Sequence, residues 1–186
     1  MSKNALAAIL LMFLYGCGSG NDVTTPTPTP TPIPNVNING SWRGTLDQGT
    51  FSGTCAAPVY QRVFDPVFPL RLEVTAQQAA GSAQVAATTS ISFAGSTLGS
   101  GGFVGLSEQN TVTIDAPQPV LLPVLTNNTM SLTCDNGRVV RLSGGTTRLR
   151  GDATTTTWSG DYTESIQVSG GETGVLTLNG RFNVTK

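Results

Sequence analysis

The chain has 186 residues, contains no histidine, and sets 10 Lys and Arg against 11 Asp and Glu for a net charge of −1. Charged residues make up 11 % of it, under half the roughly 25 % usual for globular proteins, so the basic footprint that nucleic-acid binding requires is missing. Without histidine there is no Ser-His-Asp triad, Cys-His pair or imidazole metal site, while 27 Thr, 15 Ser and 22 Gly favour strands and turns over helices.

Lys3 and the apolar run from Ala5 to Tyr15 read as a secretory signal. At about 1.5 Å per residue the run covers some 16 Å, half of a ~30 Å hydrocarbon core, so a spanning helix is not expected. It ends in Leu14-Tyr15-Gly16-Cys17, followed by the polar tether Gly18-Ser19-Gly20-Asn21-Asp22. This ending resembles the lipobox of bacterial lipoproteins, although Tyr15 stands where that family prefers a small residue. The resemblance implies a signal peptide over 1–16, cleavage before Cys17, and a diacylglycerol with an N-acyl chain such as palmitate on that cysteine. It further implies a lipid-anchored place in the bacterial cell envelope. In a host with two membranes, Gly18 rather than Asp favours the outer one. The other reading is an ordinary signal peptide with Cys17 as an incidental thiol.

Prolines at 26, 28, 30, 32 and 34 alternate with threonine and isoleucine. Each fixes its own φ and pushes its predecessor toward extended geometry, which predicts a polyproline II spacer. At ~3.1 Å per residue, Pro26 to Pro34 hold the following domain about 28 Å away. Residues 17–36 are therefore expected to form an acylated linker and 37–186 the folded domain.

From Asn37 onward period-two alternation dominates. Leu70, Leu72, Val74 and Ala76 face one way, and Arg71, Glu73, Thr75 and Gln77 the other. Leu176, Leu178, Gly180, Phe182 and Val184 repeat the pattern, with shorter runs at Ala83-Val85-Ala87, Val112-Ile114, Met130-Leu132-Cys134, Val140-Leu142 and Trp158-Gly160-Tyr162. Asp135-Asn136-Gly137 predicts a type I′ hairpin, and Gly99-Ser100-Gly101-Gly102 a hairpin loop. The expected fold is all-β, an antiparallel meander forming an up-and-down barrel of eight to ten strands, with a β-sandwich as the alternative.

Ile38-Asn39-Gly40-Ser41-Trp42-Arg43 places Gly-x-Trp on the opening strand. This resembles the calycins, the lipocalin and avidin group, and implies a closed barrel base with a small apolar or amphipathic ligand inside. Lipocalins pack a late arginine over this tryptophan. Arg181 is the candidate here, yet it alternates with Phe182 and so belongs to the polar face. The two tryptophans of the chain are too few for an avidin-type biotin site.

Cys55 and Cys134 form an even pair in an exported chain, which predicts a disulfide. Most carboxylates fall at turns or on polar faces. Glu164 is in phase with Trp158, Tyr162 and Ile166, so unbroken alternation turns it inward. A ligand or catalytic role is one account of that, and a β-bulge resetting the phase is the other. Arg150-Gly151-Asp152 spells an integrin tripeptide that a turn explains, and the sequons at Asn39, Asn127 and Asn183 carry no weight in a bacterial lipoprotein. The expected function is non-enzymatic, with neither cofactor nor metal. A lipocalin-like barrel binds a small ligand near Trp42, Trp158, Tyr162 and Glu164, or a filled barrel docks an envelope partner.

Overall fold

Alternation of apolar and polar side chains carries the described residues into nine strands: β1 (Gly40–Gly53), β2 (Leu70–Gln78), β3 (Gln84–Phe93), β4 (Ser96–Glu108), β5 (Thr111–Ala116), β6 (Ser131–Thr133), β7 (Val139–Ala153), β8 (Thr157–Gly170) and β9 (Gly174–Thr185). The computed structural model describes residues 35–55, 70–121 and 131–186. The signal segment, Cys17, the Thr-Pro spacer, Met130 and most of the Thr54 to Pro69 stretch lie outside them.

Each neighbouring pair of strands is antiparallel. β1 to β5 form one meander and β7 to β9 another. β9 returns to β1, and Thr111–Ala116 of β5 pair with Thr147–Asp152 of β7. Eight strands therefore close into an up-and-down ring without sheet edges, which decides for the barrel over the sandwich. β6 stands outside the ring and pairs with the first residues of β7. Register shifts at Asp47/Thr50 of β1, Ile91/Ser92 of β3 and Ser143/Gly145 of β7 supply local bends that a closed barrel needs.

Two turns differ from expectation. Gly99 to Gly102 lie inside β4 rather than in a loop, and the β3–β4 reversal falls at Ala94 and Gly95. Both take positive φ, 48° and 83°, as a type I′ turn demands. The Asp135-Asn136-Gly137 hairpin is present, but of its residues only Gly137 has positive φ, at 77°. The Gly137 N–H donates to Cys134 O at 2.9 Å and the Cys134 N–H to Arg138 O at 2.8 Å, a three-residue loop with glycine in the left-handed position.

Residues 35–39 cross one end of the ring and close it. The Val36 N–H donates to Gln109 O at 2.7 Å, the Ser107 hydroxyl to Val36 O at 3.0 Å, and the Ile38 N–H to Gln78 Oε1 at 3.1 Å. We call this end the base. The Cys55–Cys134 disulfide lies at the other end, with a Cα–Cα separation of 4.8 Å, and joins the exit of β1 to the β6–β7 turn.

Candidate functional site in the barrel interior

The inward positions of β1, β8 and β9 carry the largest side chains in the interior. Trp42, Trp158, Phe182 and Tyr162 are all buried. Trp158 meets Phe182 edge-on, with centroids 5.1 Å apart at 82°, and meets Trp42 at 6.2 Å and 76°. The Trp42 Nε1–H donates to Ile38 O at 2.7 Å and so ties the first strand to the base closure. The cation over the Trp42 ring is Lys186, with Nζ 4.7 Å from the centroid. Arg181 points outward, as its alternation with Phe182 requires, and pairs with Asp161 at 3.5 Å.

Glu164 is fully buried, at 0 % exposure, and β8 keeps its alternation without a bulge. The register shift falls on the partner strand β7 instead, at Ser143/Gly145. The carboxylate is therefore inward, and the structure accounts for it within the chain. The Leu121 N–H donates to both oxygens, at 3.0 Å and 2.8 Å, and the Tyr162 hydroxyl donates to Oε2. Thr147, directly opposite Glu164 on β7, donates to Gln118 O at 2.9 Å and sits 3.4 Å from Oε2. Donors converging on a buried carboxylate offset its desolvation. Burial, reinforced by this carboxylate, holds the Tyr162 phenol well above its usual value of 10.0.

Leu121 and Gln118 belong to a segment that strand alternation does not reveal; Pro117 and Pro119, which cannot extend the β5 ladder, are the signal that could have found it. Residues 117–121 turn into the barrel as a strap, burying Val120 and Leu121. They fit because the inward positions of β4 facing them are glycines. A Cβ on Gly99 would collide with Val120 O, and one on Gly101 would lie 3.0 Å from Val120 Cγ2. Glycines read as a loop are thus the floor on which the strap lies.

Trp42, Trp158, Tyr162 and Glu164 do share one interior, but the protein's own atoms surround them. Clefts lined by described residues open on the outer wall. One of about 630 Å³ runs over Asp47, Arg150, Asp161 and Arg181, which stand in register across β1, β9, β8 and β7 with alternating charge. A second of about 770 Å³ runs over Gln77, Gln84, Ala86, Val104 and Leu106. Val104 is 66 % exposed there and Leu106 46 %. Arg150-Gly151-Asp152 lies within β7 and not in a turn, with Asp152 accepting from Thr111 Oγ1 at 3.0 Å. Among the described residues no three His, Cys, Asp or Glu side chains cluster as a metal site. Compared with protein-family models, curated proteins and solved structures, the chain matches none.

Proposed function

We propose that this chain is a bacterial envelope lipoprotein, anchored through acyl chains on Cys17, whose barrel is a self-filled scaffold that docks an envelope partner through its outer wall. The observation that carries the docking reading is the interior itself: Trp42, Trp158, Tyr162 and Glu164 are each 0 % exposed, and Glu164, the one buried carboxylate among the described residues, is engaged by Leu121 and Tyr162 of the same chain. A ligand carrier of the lipocalin kind keeps a preformed cavity of roughly 300 Å³ or more. Among the described residues, the space around Trp42, Trp158, Tyr162 and Glu164 is taken by aromatic side chains and residues 117–121. The anchoring part rests on Leu14-Tyr15-Gly16-Cys17 with its polar tether and Thr-Pro spacer, since stable attachment needs the two or more acyl chains that such a cysteine carries.

Two experiments test the two parts separately. Cys17→Ser should move the protein from the membrane fraction to the soluble one, and unchanged partitioning would refute the anchor. Native mass spectrometry of protein taken from its own host should give the mass of the acylated chain alone. A stoichiometric small molecule travelling with it would favour the carrier reading instead.

A further inference from the structure

The strap is held differently from everything else that fills the barrel. The ladder closing the ring between β5 and β7 ends at the Ala116–Thr147 pair, and residues 117–121 join no ladder among the described residues. Side-chain chemistry seats them: Glu164 on the Leu121 N–H, Thr147 on Gln118 O, and the bare floor of Gly99 and Gly101 beneath Val120. Among the described residues, withdrawing 117–121 would break no strand pairing. It would uncover a depression whose described lining is apolar apart from the Glu164 carboxylate and the Thr147 hydroxyl. A second hydroxyl adjoins it. Thr89 of β3 is buried at 4 % exposure, stands in register with Gly101, and its Oγ1 has no hydrogen-bond partner among the described residues. Buried hydroxyls in native proteins are nearly always paired, so an orphan beside the strap's floor marks a seat that the strap does not fully satisfy.

We propose that residues 117–121 are a removable strap occupying a binding seat inside the barrel, and that the seat takes an apolar chain bearing an N–H or ammonium donor. The strap is the template for that chemistry. Val120 and Leu121 provide the apolar part, and the Leu121 amide provides the donor. An ammonium in its place would make a charge-assisted hydrogen bond to Glu164, its chain would lie along Gly99 and Gly101, and Thr89 would be within the same seat. A ligand can shift the strap only through such a differential interaction. The inference does not depend on the anchor; the strapped state is the self-filled barrel of the docking reading, and the seat opens only where a ligand displaces the strap.

Amide hydrogen exchange on the disulfide-bonded folded protein tests it. The Leu121 amide should exchange faster than the ladder amides of β8 and β9, through a local opening that low urea does not accelerate. Dodecylamine below its micellar concentration should speed Leu121 exchange by about tenfold or more and leave the strand amides unchanged, while dodecanoate should not. Glu164→Gln should abolish the amine response. Should that variant fail to fold, Gly101→Val, which crowds Val120, should speed Leu121 exchange without any amine. Exchange of Leu121 in step with global unfolding would overturn the proposal, as would equal responses to amine and dodecanoate, an amine response surviving Glu164→Gln, or unchanged exchange in Gly101→Val.

Discussion

The two halves of this barrel are filled in different ways. Toward the base, large rings on alternate positions of β1, β8 and β9 meet edge-on, and residues 35–39 seal the end. Toward the disulfide, the inward face of β4 is glycine, and backbone from another part of the chain occupies the space. Close packing is required in both halves. Side chains alone meet it near the base, where each strand brings its own volume. Backbone brought inward must also satisfy its N–H and C=O groups. The upper half therefore needs Glu164 and Thr147, polar residues that an aromatic interior would not hold.

That contrast can be broken or sharpened by substitution. The largest effect belongs to the base: Trp158→Ala, which empties the centre of the edge-on cluster, should cost about 3–5 kcal/mol in urea denaturation. A loss below about 1 kcal/mol would mean that the rings are not the main packing there. In the upper half, replacing both Cys55 and Cys134 by serine should cost about 2–5 kcal/mol, since the bridge closes a loop of sequence separation 79.

Glu164→Gln should cost about 1–3 kcal/mol, because the Tyr162 hydroxyl and Leu121 amide lose a charged acceptor of the same shape. An unaltered denaturation midpoint would show that the strap's latch contributes no stability. Tyr162 adds a pH signature. Its proton is held more tightly in the folded than in the unfolded chain, so its contribution is complete below pH 10.0 and is lost as pH rises past that value. The decline should approach about 1.4 kcal/mol per pH unit and should disappear in Tyr162→Phe. If the wild type and that variant fall in parallel above pH 10, the phenol is not responsible. The smallest effect is at the rim of the base, where Lys186→Ala should cost about 0.5–1 kcal/mol through the lost contact with Trp42. Thermal unfolding of that variant should show a correspondingly small shift, and a larger one would mean that Lys186 does more than cover the ring.

Much of this fold is legible residue by residue. The alternation at Leu70–Ala76 and Leu176–Val184 assigns every one of those side chains to the correct face. Cys55 and Cys134 are bonded as their even number suggests. The outward direction of Arg181 follows from its neighbour Phe182. Glycine misled where its two uses look alike in sequence. At Ala94-Gly95 it supports a turn, while at Gly99 and Gly101 it clears space for another segment, and only the segment's position tells these apart. The lysine over Trp42 was equally hidden, since its contact depends on β1 and β9 pairing and not on spacing along the chain.

Periodicity and composition by themselves determined that the domain is all-β and which faces are apolar, because strand geometry couples each residue's side to its number. The inward direction of Glu164 stayed open against a β-bulge and is decided by the unbroken β8. Ring closure was a tertiary decision, since the pairing of Thr111–Ala116 with Thr147–Asp152 joins distant strands. So was the meaning of Glu164. Its partners, Leu121 and Thr147, lie 43 and 17 residues away and converge on it only when the strap turns into the barrel. A buried charge is identified by what surrounds it, and in this protein those surroundings are assembled by the fold.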